Sequence, residues 1–382
     1  MVLVIVHSIV SCHRLMDVVD LIETDPRVQT VFTVGPDVFN NGVERYLNDL
    51  GALVVPWHQA VRSTFDLALS ASHGGLHELH APLALMAHGA GHGKLVRRPA
   101  HGGPPTRHHE VYGLDSQRLV RDGRVLASAI VLAHEAERDI LGGQCPDALP
   151  AVVLAGDICF DKLAASVPDR AVYRQALGVH DHQKLVVVCS TWGPDGIFGR
   201  VPDLLPNMLD ELSAQQFRVA ALLHPAVWTA HGQRQIRAWM RDCREAGLIL
   251  PQPTDDWRAL VAAADYVIGD HGSVAVYAAA IGIPLLQLET PGADTTTPGS
   301  AQEFVTRHAD RLQPLQPLQA QLARARPLDA GAITGMLTSR PGEASRLLRR
   351  MIYKLLRLPE PGKHRHSTAV PASRATDVGE LP

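Results

Sequence analysis

Asp265-Tyr266-Val267-Ile268-Gly269-Asp270-His271-Gly272-Ser273-Val274-Ala275-Val276-Tyr277 runs from a short β-branched segment through a polar turn into an apolar helical pattern, with no spacer between them. A strand at Tyr266–Ile268 followed at once by a helix at Val274–Ile281 is half of a βαβ unit, and such units build parallel sheets. Gly272 lets the backbone approach a ligand closely. Ser273 can cap the helix and donate a hydrogen bond, and the first turn of the helix offers unpaired N–H groups to an anion. A diphosphate is the natural guest. The same residues also admit a plainer reading, with Ser273 only an N-cap and Asp270 only a turn residue.

The same alternation extends in both directions. Strands are expected at Leu185–Cys189, Phe217–Leu223, Leu248–Leu250 and Leu285–Leu288, and helices at Leu204–Leu212, Gln233–Glu245 and Trp257–Ala263. An earlier series has strands at Val2–His7, Val28–Val34, Ala52–Pro56, Phe65–Ser70, Leu83–Ala87, Ile130–Ala133 and Val152–Ala155, with a helix at Glu135–Leu141. Two consecutive Rossmann-like halves account for the pattern, one over 1–178 and one over 184–312. From 313 the Pro, Gln, Ala and Arg content reads as a linker leading to a helix over 344–358. That helix carries Leu347, Leu348, Met351, Ile352, Leu355 and Leu356 on one stripe and basic residues on the other. It reads as a helix packed across the domains in preference to a peripheral membrane contact. The segment 359–382 has no apolar period and is expected to be disordered.

Composition narrows the class. The 382 residues are 46% apolar, enough for two cores. Lys+Arg 36 against Asp+Glu 39 gives a net charge of -3 and no reason to expect nucleic acid. Five dispersed cysteines form no CxxC pair, which argues against a disulfide framework or structural zinc and fits a reducing, cytoplasmic setting. The opening Val2–Val6 is far too short for a spanning helix, and no other run reaches about 18 apolar residues.

Three further loops follow expected strand ends, where open α/β sheets bind ligands. In Ala87-His88-Gly89-Ala90-Gly91-His92-Gly93-Lys94, small residues bracket two imidazoles and an amine; His88 sits where a general base is needed, and Lys94 could hold a phosphate. With 20 histidines in the chain, His92 and the group His101, His108 and His109 receive no role on number alone. No carboxylate or thiolate stands beside them at metal-ligand spacing, so no metal is expected. Ser190-Thr191-Trp192-Gly193 and His224-Pro225 follow strands of the second half. His224 is open between a structural residue bonded to backbone and a group facing the ligand.

In order, these pieces resemble the CDP-glycerol glycerophosphotransferase family, the teichoic-acid polymerase and primase type. The matching residues are His88, Gly89 and Lys94; Gly156, Asp161 and Leu163; Thr191-Trp192; His224-Pro225; and Ala264, Asp265, Ile268, Asp270 and Ser273, closed by Ile281-Gly282-Ile283-Pro284. The family's Tyr-Ser-Ser turn is here His271-Gly272-Ser273, and Tyr277 lies near the place of its acid. A weaker similarity is to UDP-N-acetylglucosamine 2-epimerases. The resemblance implies an α/β protein of GT-B type, two Rossmann-like domains with a cleft between them. It implies a transferase that moves a glycerophosphate, polyol-phosphate or glycosyl group from a nucleotide-diphosphate donor to an acceptor hydroxyl. His88 would be the base, with His224 assisting the leaving group. Gly272, Ser273, Asp270, Thr191 and Lys94 would hold the diphosphate, beside Gly89, His271 and Trp192. No cofactor beyond the donor is expected. The alternatives are an epimerase-like enzyme acting on the donor alone, and an inactive nucleotide- or partner-binding module of a biosynthetic cluster; the high Ala, Arg, Gly and Pro usage is compatible with a bacterial source.

Overall fold

The computed structural model describes residues 1–97, 109–289, 296–362 and 366–372. His101, His108 and the end of the tail from 373 lie outside these. The chain forms two compact units, one of 1–161, 295–300 and 335–367, the other of 162–294, 301–334 and 368–382.

In the first unit six parallel strands line up as Val152–Leu154, Ala129–Leu132, Leu83–Met86, Leu67–Ser70, Val2–Val6 and Thr30–Val34. Strand alternation sends Val2, Val4 and Val6 into one core and Leu3 and Ile5 into another, so both faces of the sheet are covered. The first helix, Ile9–Val19, follows the first strand directly, with only His7 and Ser8 between them. Ser8 and Ser11 cap it reciprocally, each hydroxyl accepting the other's backbone N–H at 3.2 and 2.9 Å.

The second unit repeats the arrangement with five parallel strands in the order Phe217–Leu223, Lys184–Ser190, Tyr266–Gly269, Leu285–Gln287 and Asp310–Arg311. In each sheet the direction of winding reverses beside the first strand. The reversal falls between Val2–Val6 and Leu67–Ser70 in one unit and between Lys184–Ser190 and Tyr266–Gly269 in the other. Ligands of open α/β sheets sit beyond the strand ends at such points.

Several expectations change. Ala52–Pro56 and Leu248–Leu250 are single bridges, Phe32 with Val54 and Ala220 with Ile249. Each is stopped by a proline, Pro56 or Pro251, that has no N–H to extend the ladder. The helix expected over Gln233–Glu245 divides into Gln233–Trp239 and Arg241–Glu245 at Met240, whose backbone leaves helical values (φ -94°, ψ 9°) and whose side chain enters the core.

The segment from 313 is not a loose linker. Leu318–Arg324 and Ala330–Leu337 are helices, and Leu318, Leu322 and Ala325 complete the second unit's core. The last helix, Ala344–Leu355, spends its apolar stripe inside the first unit: Leu348, Met351 and Ile352 are buried, and Leu347, Leu355 and Leu356 pack beside them. That stripe is therefore not presented to a membrane, and no described helix is long and apolar enough to cross one. Part of the tail is also anchored rather than loose. Val370 is buried, its N–H donates to Ser166 Oγ at 3.0 Å, and its carbonyl accepts from the Tyr173 hydroxyl at 2.8 Å. All five cysteines are buried and remain as thiols, outside any disulfide.

Candidate functional site

In the second unit the turn after Tyr266–Gly269 is organised by Asp270. Its buried carboxylate accepts the Thr191 N–H at 2.8 Å, the Thr191 hydroxyl at 2.9 Å, the Ile197 N–H at 3.1 Å and the Gly272 N–H at 3.1 Å. Asp270 thereby staples the loop after Lys184–Ser190 to the turn before the helix Ser273–Ala280. The oxygens of this carboxylate are engaged with the protein's own N–H and O–H groups.

Gly272 is required by this closeness. A Cβ there would lie 2.7 Å from Thr191 Cγ2. It also takes the N-cap position with no side-chain cap, which moves Ser273 from the expected cap to the first residue of the helix. The N-terminal N–H groups, the Ser273 hydroxyl and the helix dipole are thus grouped at one strand end. His271 is exposed, its carbonyl held by the Gln302 amide, and Trp192 keeps 49% of its surface exposed. Tyr277, near the place of the family's acid, is core: it is fully buried against Trp257, with ring centroids 5.5 Å apart.

His224 ends the strand Phe217–Leu223 and caps the helix Pro225–His231, its Nδ1 accepting the Ala226 N–H at 3.1 Å. A ring nitrogen that accepts carries no proton. The ring proton is therefore on Nε2.

In the first unit His88 has the opposite tautomer. Its Nδ1 lies 2.9 Å from the Ala71 carbonyl, which can only accept, so the proton is on Nδ1 and Nε2 presents a lone pair. The ring keeps an exposed face, yet the protein crowding it removes water, and Arg14 and His92 add like charge; its pKa is lowered and the neutral form favoured. His7, at the end of the first strand, is fully buried and shares a 2.8 Å contact between Nε2 and the Gly74 carbonyl. Burial lowers its pKa as well, and lowers that of His73 to about 3 with help from His92 and Arg118.

Three charged residues that the sequence did not single out hold this loop. The buried Arg14 guanidinium donates to Asp157 at 2.7 Å and to the Gly89 carbonyl at 3.0 Å. Glu137 accepts the His92 N–H at 2.7 Å and His92 Nδ1 at 3.0 Å. Burial alone would raise the Glu137 pKa, but His92 and the backbone N–H donors outweigh it and hold the carboxyl at about 2. Arg14, Gly89, Gly91, Gly156 and Asp157 line a small, half-open concavity. Lys94 is exposed on the same loop, its backbone bridged to Thr296.

Asp161, part of the motif that carried the resemblance, accepts the Gly342 and Ala344 N–H groups at 2.7 and 3.0 Å and so caps the last helix. Among the described residues no group of three or more His, Cys, Asp or Glu is placed to hold a metal ion.

Solved structures place this arrangement among known folds. A variant of the wall teichoic acid polymerase TagF soaked with CDPG is similar over 93% of this chain and 88% of that one, with a TM-score of 0.61 and 12% identity. Another TagF structure gives a TM-score of 0.56. MnaA of S. aureus, determined with UDP, is similar over 97% of this chain and 99% of that one, with a TM-score of 0.53 and 12% identity. The fold is of the GT-B type. At this level of identity the likeness speaks for the fold, and no family model and no curated protein matches the sequence. In GT-B terms His88, Gly89 and Lys94 stand on the first Rossmann-like unit, and Thr191, Trp192, His224, Asp270, His271, Gly272 and Ser273 on the second.

Proposed function

We propose that the chain is a transferase that moves a glycerophosphate, polyol-phosphate or glycosyl group from a nucleoside-diphosphate donor to an acceptor hydroxyl. The observation that carries this reading is the turn after Tyr266–Gly269, which groups the Ser273 hydroxyl with the first N–H groups of a helix, and His88 of the other unit presents a lone pair at Nε2.

His88 takes the proton of the attacking hydroxyl as its oxygen bonds to phosphorus or to the anomeric carbon. The bond to the leaving nucleotide breaks, and its electrons settle on a phosphate oxygen. The His224 N–H, the Ser273 hydroxyl and the N–H groups at the start of the helix Ser273–Ala280 offset that charge. Asp270 and Thr191 keep the turn in shape, and Lys94 adds positive charge. The residues of this scheme neutralise the leaving group without calling on a metal.

The solved neighbours with CDPG and with UDP favour CDP- and UDP-linked donors as the first to try. Incubating each donor with and without a polyol acceptor tests the reading. Product formed only with acceptor supports transfer, and a donor altered with no acceptor points to the epimerase-like alternative. Donor bound but unchanged under all conditions contradicts both and leaves a binding module.

A further inference from the structure

We propose that Gln287 is a positioning residue of the nucleotide site: its side-chain amide holds the Asp270–His271 peptide so that the His271 N–H is turned outward, towards a phosphate oxygen of the ligand. The identity of that ligand rests on the transfer reading above.

Gln287 ends the strand Leu285–Gln287 and is paired with Gly269, the residue before the turn. It is 3% exposed. Its Nε2 donates to the Asp270 carbonyl at 3.1 Å, and the following Leu288 N–H donates to the Gly269 carbonyl at 2.8 Å. Asp270 is therefore held at both ends, its carboxylate by Thr191 and Ile197 and its carbonyl by the neighbouring strand. A carbonyl drawn to a buried amide fixes the plane of its peptide. Among the described residues no peptide bond is cis, and in a trans peptide the C=O and the next N–H point in opposite directions. The N–H of the exposed His271 is thus directed away from Gln287. The next peptide is fixed on its own account, the Gln302 amide donating to the His271 carbonyl and Asp270 Oδ1 accepting the Gly272 N–H at 3.1 Å. Among the described residues the N–H groups of His271, Ser273 and Val274 have no acceptor, which suits a phosphate.

The other half of the amide makes the same point. Gln287 Oε1 is buried and meets no donor among the described residues. An unpaired buried acceptor costs stability, and an apolar side chain of similar length would avoid that cost. Packing alone therefore gives no reason for an amide here. What the amide supplies is the bond to Asp270.

The test is calorimetric titration of the full chain with CDP, UDP and inorganic pyrophosphate. The wild type is compared with Gln287→Met, which keeps the length and removes the N–H, and with Gln287→Glu. Gln287→Met should bind the nucleotide and pyrophosphate about tenfold more weakly, with a melting temperature equal to or above that of the wild type. Gln287→Glu should bind well at acid pH, where its neutral carboxyl donates to the Asp270 carbonyl, and lose affinity as it ionises, beyond any pH dependence of the wild type. In backbone amide spectra the His271 N–H should shift with pyrophosphate in the wild type and not in Gln287→Met. Wild-type affinity in Gln287→Met, or a His271 N–H that ignores the bound ligand, overturns the assignment and leaves the nucleotide site intact. A melting temperature that falls with the affinity, with no acid recovery in Gln287→Glu, makes Gln287 a packing residue and overturns it as well. No binding of any of the three ligands to the wild type overturns it together with the transfer reading.

Discussion

The two units solve the same topological problem with different chemistry. Both place their loops at the point where the sheet reverses its winding, but the first fills that point with imidazoles and buried charges, and the second with backbone N–H groups, hydroxyls and one imidazole. The first unit's His88 and His7 have lowered pKa values through burial, so their rings are kept neutral. The second unit spends its buried Asp270 carboxylate on shaping a turn whose N–H groups favour an anion. In the proposed transfer, proton handling and anion holding are divided between the units.

This contrast can be broken at its strongest points. Arg14→Leu strands the buried Asp157 carboxylate and should cost about 3–5 kcal/mol in denaturant unfolding; a change within experimental error would mean the loop does not depend on that pair. Asp270→Ala leaves the Thr191, Ile197 and Gly272 N–H groups without their acceptor and should cost roughly 3 kcal/mol. It should also weaken nucleotide binding, whereas Arg14→Leu should spare it.

His88→Ala, by contrast, should fold normally, keep donor affinity and lose transfer by about 100- to 10,000-fold. Full activity in that variant would remove His88 from the chemistry.

The acid limb sharpens the picture of the first unit. Glu137 is held at about 2 against an unfolded value of 4.5, so its stabilising effect is present above pH 4.5 and is lost as the pH falls towards 2. In His92→Gln that loss should move to higher pH, because the first partner of the carboxylate is gone. The smallest effect is expected at Gly91, whose φ is +65° and whose added Cβ would meet Glu137 Oε1 at 2.8 Å: Gly91→Ala should cost about 1–2 kcal/mol by thermal unfolding.

Much of the architecture was legible in the sequence because the strands of both sheets are mostly short apolar runs, buried in the sheet. Phe217–Leu223 and Trp257–Ala263 have the bounds their residues imply. What composition hid was the region after 313, where Pro and Gln suggest a linker although Leu318 and Leu322 close a core; only the neighbouring chain tells where those leucines go. Candidate residues at strand ends were readable because turn chemistry is local. Arg14 and Glu137 were not, since Arg14 meets Asp157 across 143 positions and Glu137 meets His92 across 45. Each looks in sequence like an ordinary charge on a helix. Asp270 was found by its position, but three of its four hydrogen bonds, and hence its role as a staple, depend on Thr191 and Ile197, 79 and 73 residues earlier.

The proposed transfer requires the second unit's turn to bind a nucleoside diphosphate. A thermal-shift panel of CDP, UDP, GDP, ADP and TDP against the wild type and Ser273→Ala tests it most directly, since a ligand at 100 times its dissociation constant adds about 2.7 kcal/mol of stability. Stabilisation by one nucleotide, reduced in Ser273→Ala and unaffected in His88→Ala, is the predicted result. No stabilisation by any of the five, or equal stabilisation in Ser273→Ala, would contradict it.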